Sequence, residues 1–342
     1  VPIPGYRNGI VNTLRLWSAT ATDEFDLDEF NAGSYADAVA SKNAAENITM
    51  VLYPNAATET GHELRLRQQY FLTSASLQDA LRRWCARHGN SFETFAEKNC
   101  FQLNDTHPAV AVPELMRLLM DVHDLTWDEA WETTRGAMAY TNHTLLPEAL
   151  EHWPIDMFQR LLPRIMEIIF EINRRLLAEI DARWLGDTSR RRRMSLIDEN
   201  GTQMIRMAHL AIAGSFSVNG VAALHSKLLQ EGLFRDFAEL WPEKFNNKTN
   251  GVTQRRWLAA CNPQLASIIS DRIGDAWITD LEQLAGLREW VADDGFRRQW
   301  REVKLANKKR LVREIQNRTG IGVGSEMLFD VQVKRIHEYK RQ

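Results

Sequence analysis

Apolar positions recur at three- and four-residue steps from Leu162 to Trp184: Ile165, Ile168, Ile169, Ile172, Leu176 and Ile180 share one face, while Arg174, Arg175 and Glu179 take the other. That period predicts the longest helix of the chain, with one buried stripe and one wet face. Similar spacing predicts a helix over 113–122, with Leu115, Leu118 and Leu119 inward, and others over 222–230 and 296–315, the last with Gly320 placed just past its end. The Ala-rich stretch 34–47 reads as a helix that follows Ser34 as N-cap. Thr126, followed three residues later by Glu129, is a capping-box start for a helix running to about Met138.

Three shorter apolar runs, 100–103, 204–213 and 328–333, read as strands, and each enters a polar loop that precedes a helical pattern. Strand, loop, helix in repetition is the order of α/β folds, in which ligands collect at the carboxyl ends of strands. The loops at 104–108, 214–220 and 334–341 are therefore where chemistry is expected. No internal repeat or low-complexity linker interrupts the chain.

Length and charge narrow the possibilities. At roughly 100–200 residues per domain, 342 residues predict about two domains. Lys and Arg number 42 against 45 Asp and Glu, a net charge of −3, so nothing global recruits nucleic acid or an anionic membrane and any anion chemistry must be local. No apolar run approaches the roughly 18–20 residues of a membrane span, and no signal-type segment opens the chain, so a cytoplasmic protein is expected. Cys85, Cys100 and Cys261 are odd in number and far apart, which argues against a disulfide framework or thiolate site. The histidines show no metal-ligand spacing, so no metal is expected. A start at Val1 and an end at Gln342 inside a polar, helix-competent run suggest a fragment cut at both ends.

The densest polar constellation is Lys334, Arg335, His337, Glu338, Tyr339, Lys340 and Arg341. Two basic pairs one short turn apart can close on a phosphate dianion, although a solvated basic helix face has the same composition. Asn104, Asp105, Thr106 and His107 can bind a polyhydroxylated ligand or act as acid and base; before Pro108 they can equally form an Asx turn and cap. Asn142, His143 and Thr144 are comparable. Asn250 and Gly251 signal a turn, beside which Arg255, Arg256 and Trp257 offer two cations and a flat ring. The run Arg190 to Arg193 reads as a solvated loop. Gly320 to Gly324 has neither the spacing nor the order of a dinucleotide loop, and no Walker A sequence occurs.

Taken together, Pro4-Gly-Tyr-Arg-Asn8, Leu14-Arg-Leu-Trp-Ser-Ala19, Val51-Leu-Tyr-Pro-Asn55, Leu64-Arg-Leu-Arg-Gln-Gln-Tyr-Phe71, Asn104-Asp-Thr-His-Pro108, Tyr140-Thr-Asn-His-Thr144, Pro147-Glu-Ala-Leu-Glu151, Thr249-Asn-Gly-Val-Thr253 and the 329–342 segment resemble the α-glucan phosphorylases, the glycogen, starch and maltodextrin phosphorylase family. The run 218–225 leans toward the bacterial maltodextrin branch. The resemblance implies an α/β, two-lobed GT-B-type glycosyltransferase fold, with most of the N-terminal lobe in 1–246 and the start of the C-terminal lobe in 247–342. It implies reversible phosphorolysis of terminal α-1,4-glucosyl units, with glucan and inorganic phosphate as partners, pyridoxal 5'-phosphate as cofactor, and a homodimer contacted through 34–47.

By match to the family motifs, Arg335 would hold the substrate phosphate, and Lys334 and Lys340 would face the cofactor phosphate. Trp257 would pack near the cofactor. His143, Asn250 and Tyr339 would line the glucosyl subsite, with Asp105 at its edge. The same match implies that the Schiff-base lysine lies beyond Gln342, that no lysine here takes that role, and that this stretch alone is inactive. The 55–61 segment corresponds to a gate but lacks the family's usual Asp-Asn, and Gln254 replaces a usual Pro, which would loosen a turn. Two other readings compete: a non-catalytic scaffold or dimerisation module, and a two-lobed glycosyltransferase using a nucleotide sugar.

Overall fold

The computed structural model describes residues 1–55 and 58–331. The chain divides into two compact units, one made of 1–3 and 11–250, the other of 4–10 and the chain from Gly251 on.

The first unit is a mixed α/β structure around a parallel sheet of four strands: β1 (Phe101–Asn104), β2 (Met138–Thr141), β3 (Ser217–Gly220) and β4 (Phe245–Asn247), paired in that order. Leu103 lies opposite Tyr140, Tyr140 opposite Val218, and Val218 opposite Phe245. Parallel strands need crossover connections, and a strand covered on both faces reads as a continuous apolar run instead of an alternating one; of the four, β2 comes nearest to this. Met138, Ala139 and Tyr140 are all buried. A smaller antiparallel sheet joins His152–Pro154, Met204–Arg206 and Ile197–Asp198.

Several helices form as the spacing predicts. Pro163–Arg183 buries all six of the expected apolar positions. Thr126 and Glu129 close both bonds of the capping box on Trp127–Ala137, and Asp294–Thr319 ends at Gly320 in the left-handed region, with φ 74°.

Other expectations are corrected. The longest described helix is Glu59–His88, 30 residues against 21 in Pro163–Arg183; its buried face includes Gln68, Ser74 and Asp79, which blurs the apolar stripe. The expected strand over 204–213 is a strand only at Met204–Arg206 and then a helix, Met207–Ala213. That helix is almost wholly buried and so has no polar face to betray its period. The strand sits instead in the expected loop, as β3. Residues 34–47 form two helices, Tyr35–Ala38 and Ala40–Met50, and the Ser34 side chain makes no capping bond. Residues 113–122 belong to an α-helix, Ala111–Arg117, continued by a π turn, Leu118–Val122. The four arginines lie on a helix, Thr188–Met194, and Arg190 is not solvated: it pairs with Asp236 and Glu239 and stacks 4.1 Å over Trp184.

In the second unit, Pro263–Ile273 and Asp294–Thr319 accompany a fully buried Trp277, whose Nε1 donates to Ser270 Oγ at 3.1 Å. Gln254 is buried and donates to the Ile278 carbonyl at 3.1 Å. Residues 328–331 have no regular structure, and the rest of that expected strand lies outside the described residues. No described helix is long and apolar enough to cross a membrane.

Lys244, at the entrance to β4, is 3% exposed. Its Nζ donates to the Ile212 carbonyl at 3.2 Å and lies 3.8 Å from the Trp241 ring centroid. Burial and the Arg135 charge lower its pKa to about 7, against the pull of Glu179 and Glu243. An unfolded lysine still holds its proton up to about 10.5, so over this window the unfolded chain binds more protons and stability rises with pH. The expected slope is at most about 1.4 kcal/mol per pH unit, read from urea unfolding between pH 7 and 10. Lys244→Met should flatten it; an unchanged slope would assign it to other groups.

Candidate functional site

Because β1 to β4 are parallel, their carboxyl ends share one edge of the sheet, and the loops that leave them meet there. β1 leads into Asp105, which adopts φ 68°, an uncommon conformation for a non-glycine residue. Its Oδ1 accepts the Thr106 amide at 2.6 Å, so the loop is locked by its own side chain. No side chain of 104–108 caps the helix Ala111–Arg117, whose N-cap is Val110; the simple cap reading of this loop does not hold.

β2 leads into Asn142 and His143. His143 Nε2 stands 2.6 Å from Asn104 Oδ1, so Nε2 carries the hydrogen and donates it. The Asn142 amide donates to the Asn219 carbonyl of β3 at 3.0 Å. At the end of β3 the Val221 amide donates to His225 Nδ1 at 3.1 Å, and the Val221 carbonyl accepts the Asn250 amide at 3.0 Å. Burial first, then the neighbouring His143, pushes the His225 pKa down, which favours the neutral acceptor ring. Asp105, His143 and Asn250 therefore come from three loops at one strand edge. His143 and Asn250 are exposed there, a carboxylate, an imidazole and an amide of the kind that hydrogen-bonds a hydroxyl-rich ligand.

The sequence alone assigns no role to Glu151, Arg65, Gln69 or Tyr53, which organise this edge together with Thr106 and His107. Glu151, with its side chain 10% exposed, accepts from Gln69 Nε2 at 2.9 Å, Thr106 Oγ1 at 3.2 Å and Arg65 Nη2 at 3.3 Å, and faces His107 Nδ1 at 3.5 Å. Burial alone would raise its pKa; the hydrogen bonds from His107 and Gln69, with the Arg65 charge, outweigh it and hold the carboxyl below its ordinary range. Tyr53 Oη lies 2.6 Å from His107 Nε2. No local signal marks these residues, since Arg65 and Gln69 lie on a helix rich in polar residues and Glu151 closes the mixed stretch after Pro147.

Of the other expected site residues, only Trp257 falls within the described residues. Trp257 belongs to the second unit, 68% exposed on the turn Arg255–Ala260. Lys334, Arg335, Tyr339 and Lys340 lie outside the described residues, as do His337, Glu338 and Arg341. Among the described residues, no group of His, Cys, Asp or Glu assembles that could hold a metal ion.

A family model described as carbohydrate phosphorylase matches residues 1–342. The chain is 52% identical to rabbit (Oryctolagus cuniculus) muscle-form glycogen phosphorylase and to the mouse (Mus musculus) brain form, and 51% identical to the human (Homo sapiens) muscle form. Each match covers the whole of this chain and 41% of the relative's length.

Proposed function

The chain belongs to the carbohydrate phosphorylase family, and from that premise we propose that it serves the reversible phosphorolysis of terminal α-1,4-glucosyl units of a glycogen- or maltodextrin-type glucan, with inorganic phosphate as acceptor and α-glucose 1-phosphate as product. The supporting observation is the convergence of Asp105, His143 and Asn250 on one strand edge, in a chain 52% identical over its whole length to a glycogen phosphorylase. In this reading the edge is the glucosyl subsite. Asp105, His143, Asn250 and, outside the described residues, Tyr339 bind the sugar, while Arg335 holds the substrate phosphate and Lys334 and Lys340 face the cofactor phosphate. Two phosphate groups brought close repel, and clustered cations make the approach tolerable.

The assigned cofactor is pyridoxal 5'-phosphate, which when bound supplies a phosphate group for proton exchange with the substrate phosphate. Among its assigned contacts only Trp257 is described. Its ring is exposed and the neighbouring Arg255 is spent on the Ile278 carbonyl at 3.0 Å, so these residues do not by themselves form a phosphate cradle, and no step is routed through the group. The two-lobed arrangement, with 1–246 in one lobe and 247–342 beginning the next, belongs to the same proposal. So does a homodimer through 34–47, where Tyr35 is an exposed apolar side chain.

The test is direct. Full-length protein incubated with maltoheptaose and inorganic phosphate should release α-glucose 1-phosphate, and His143→Ala should reduce kcat/KM by about 10–100-fold, the worth of one or two hydrogen bonds. Release of glucose from a nucleotide sugar instead, or no turnover with phosphate, would sink the proposal.

A further inference from the structure

Tyr53 belongs to the segment 51–55, which leans on the helix Glu59–His88 and on the loop after β1. Gln68 Nε2 donates to the Val51 carbonyl at 2.9 Å, and the Arg65 guanidinium sits 4.9 Å from the centroid of the Tyr53 ring. Tyr53 itself has φ 63°, a strained backbone that persists only where surrounding contacts impose it. The contact that ties this segment to the sheet edge is the 2.6 Å bond between Tyr53 Oη and His107 Nε2.

Which partner donates in that bond depends on the other ring nitrogen. His107 Nδ1 lies 3.5 Å from both Glu151 Oε1 and Arg65 Nη2, and these two neighbours make opposite demands. Arginine can only donate, so Arg65 would require a bare Nδ1 and leave the hydrogen on Nε2. A carboxylate can only accept, so Glu151 would require Nδ1–H and leave Nε2 to accept from the phenol. The Arg65 contact meets hydrogen-bond geometry, but Arg65 also donates to Glu151 at 3.3 Å, and a histidine–carboxylate ion pair is charge-assisted. The groups facing His107 weigh the same way: the Glu151 bond raises its pKa against burial, the Glu151 and Asp105 charges add to the rise, and Arg65 opposes it.

We infer that Glu151 is a positioning residue: it holds the His107 ring through the Nδ1 hydrogen, so that Nε2 is aimed at the Tyr53 phenol, and so docks Tyr53 and the 51–55 segment beside the Asp105 loop. Glu151 also ties the Thr106 hydroxyl and the Arg65 and Gln69 side chains to one point, so one carboxylate sets the loop, the helix and the docked segment in register. Protonation of His107 does not release the segment, because imidazolium Nε2–H can donate to the phenol oxygen. Docking is therefore expected to survive mild acid.

The experiment uses full-length protein with 15N-labelled imidazoles, the His107 resonances being assigned by their loss in His107→Gln. Wild type is expected to show the Nδ1–H tautomer, with a pKa above the ordinary histidine value. Glu151→Gln, nearly isosteric and checked for folding by circular dichroism, should lower that pKa, and Glu151→Asp should restore part of it. Tyr53→Phe should keep the Nδ1–H tautomer yet speed proteolytic cleavage within 51–55 on the order of tenfold, the worth of one hydrogen bond. An Nε2–H tautomer in wild type, Glu151→Gln titrating like wild type, or Tyr53→Phe cleaved no faster would each overturn the inference. Only one arm rests on the phosphorolysis reading: both variants should raise KM for the glucan more than they lower kcat, and equal loss in the two parameters counts against positioning. If wild type does not carry out phosphorolysis, that reading falls while the spectroscopic and cleavage arms still decide the role of Glu151.

Discussion

Glu114→Ala is expected to destabilise the first unit by about 3–5 kcal/mol, the usual cost of breaking a buried ion pair from one side. Glu114 is fully buried on Ala111–Arg117 and satisfies four donors at once. Arg117 Nε and Nη2 reach it at 2.7 and 2.8 Å, Ser74 Oγ at 2.6 Å and Tyr70 Oη at 3.1 Å. Alanine would remove the acceptor and leave a guanidinium, a hydroxyl and a phenol facing apolar surroundings. The pair also shifts both neighbours: the Glu114 bond raises the Arg117 pKa, and burial, then the Glu114 charge, raises that of Tyr70. Because domains retain only about 5–15 kcal/mol in total, the loss should be plain in urea unfolding. Glu114→Gln, which keeps the shape but not the charge, should cost less. A change below about 1 kcal/mol in the alanine variant would mean that the array is worth no more than an exposed ion pair.

Gly220→Ala should damage the strand edge itself. A Cβ on Gly220 would stand 2.5 Å from Ser226 Oγ, 2.7 Å from His225 Nδ1 and 2.9 Å from Ser226 Cα. The last contact is backbone and cannot rotate away, so the helix Ala223–Leu228 must move off the end of β3. That motion pulls on the Val221-to-His225 bond and on the 2.9 Å bond from Ser226 Oγ to Asn247, and Val221 in turn carries Asn250. Overpacking and loosened hydrogen bonds together are expected to cost about 2–4 kcal/mol. If the edge binds sugar, an ångström of displacement should lower kcat/KM on the order of 100-fold. Gly232→Ala is the control, since nothing lies within 4 Å of its added Cβ. Gly220→Ala matching that control in both stability and kcat/KM would show that the close approach is not required.

Amphipathic period and capping chemistry were legible along the chain. Pro163–Arg183 and Trp127–Ala137 could be read because each shows water one face and carries local signals at its ends. Met207–Ala213 and β2 could not, because burial on all sides erases the polar face that distinguishes helix from strand. At the site, Asp105, His143 and Asn250 were visible as polar residues in loops, and the family resemblance assigned them roles. Glu151 stands in the sequence only as the end of a motif, because a carboxylate separated from Arg65 by 86 residues gives no local sign that the two will meet.

The sequence by itself therefore determined the family, the helices whose faces differ in polarity, and the residue types able to handle a sugar and a phosphate. Tertiary structure decided which of those residues share an edge, because parallel pairing of β1 through β4 is a long-range choice made by core packing. It also decided where charge is allowed inside: Glu114 and Glu151 are tolerable only because donors from distant segments converge on them, whereas burial lowers the pKa of Lys244. A buried charge without such partners costs more than folding can recover, and partners of that kind are a property of the fold, which no window of sequence contains.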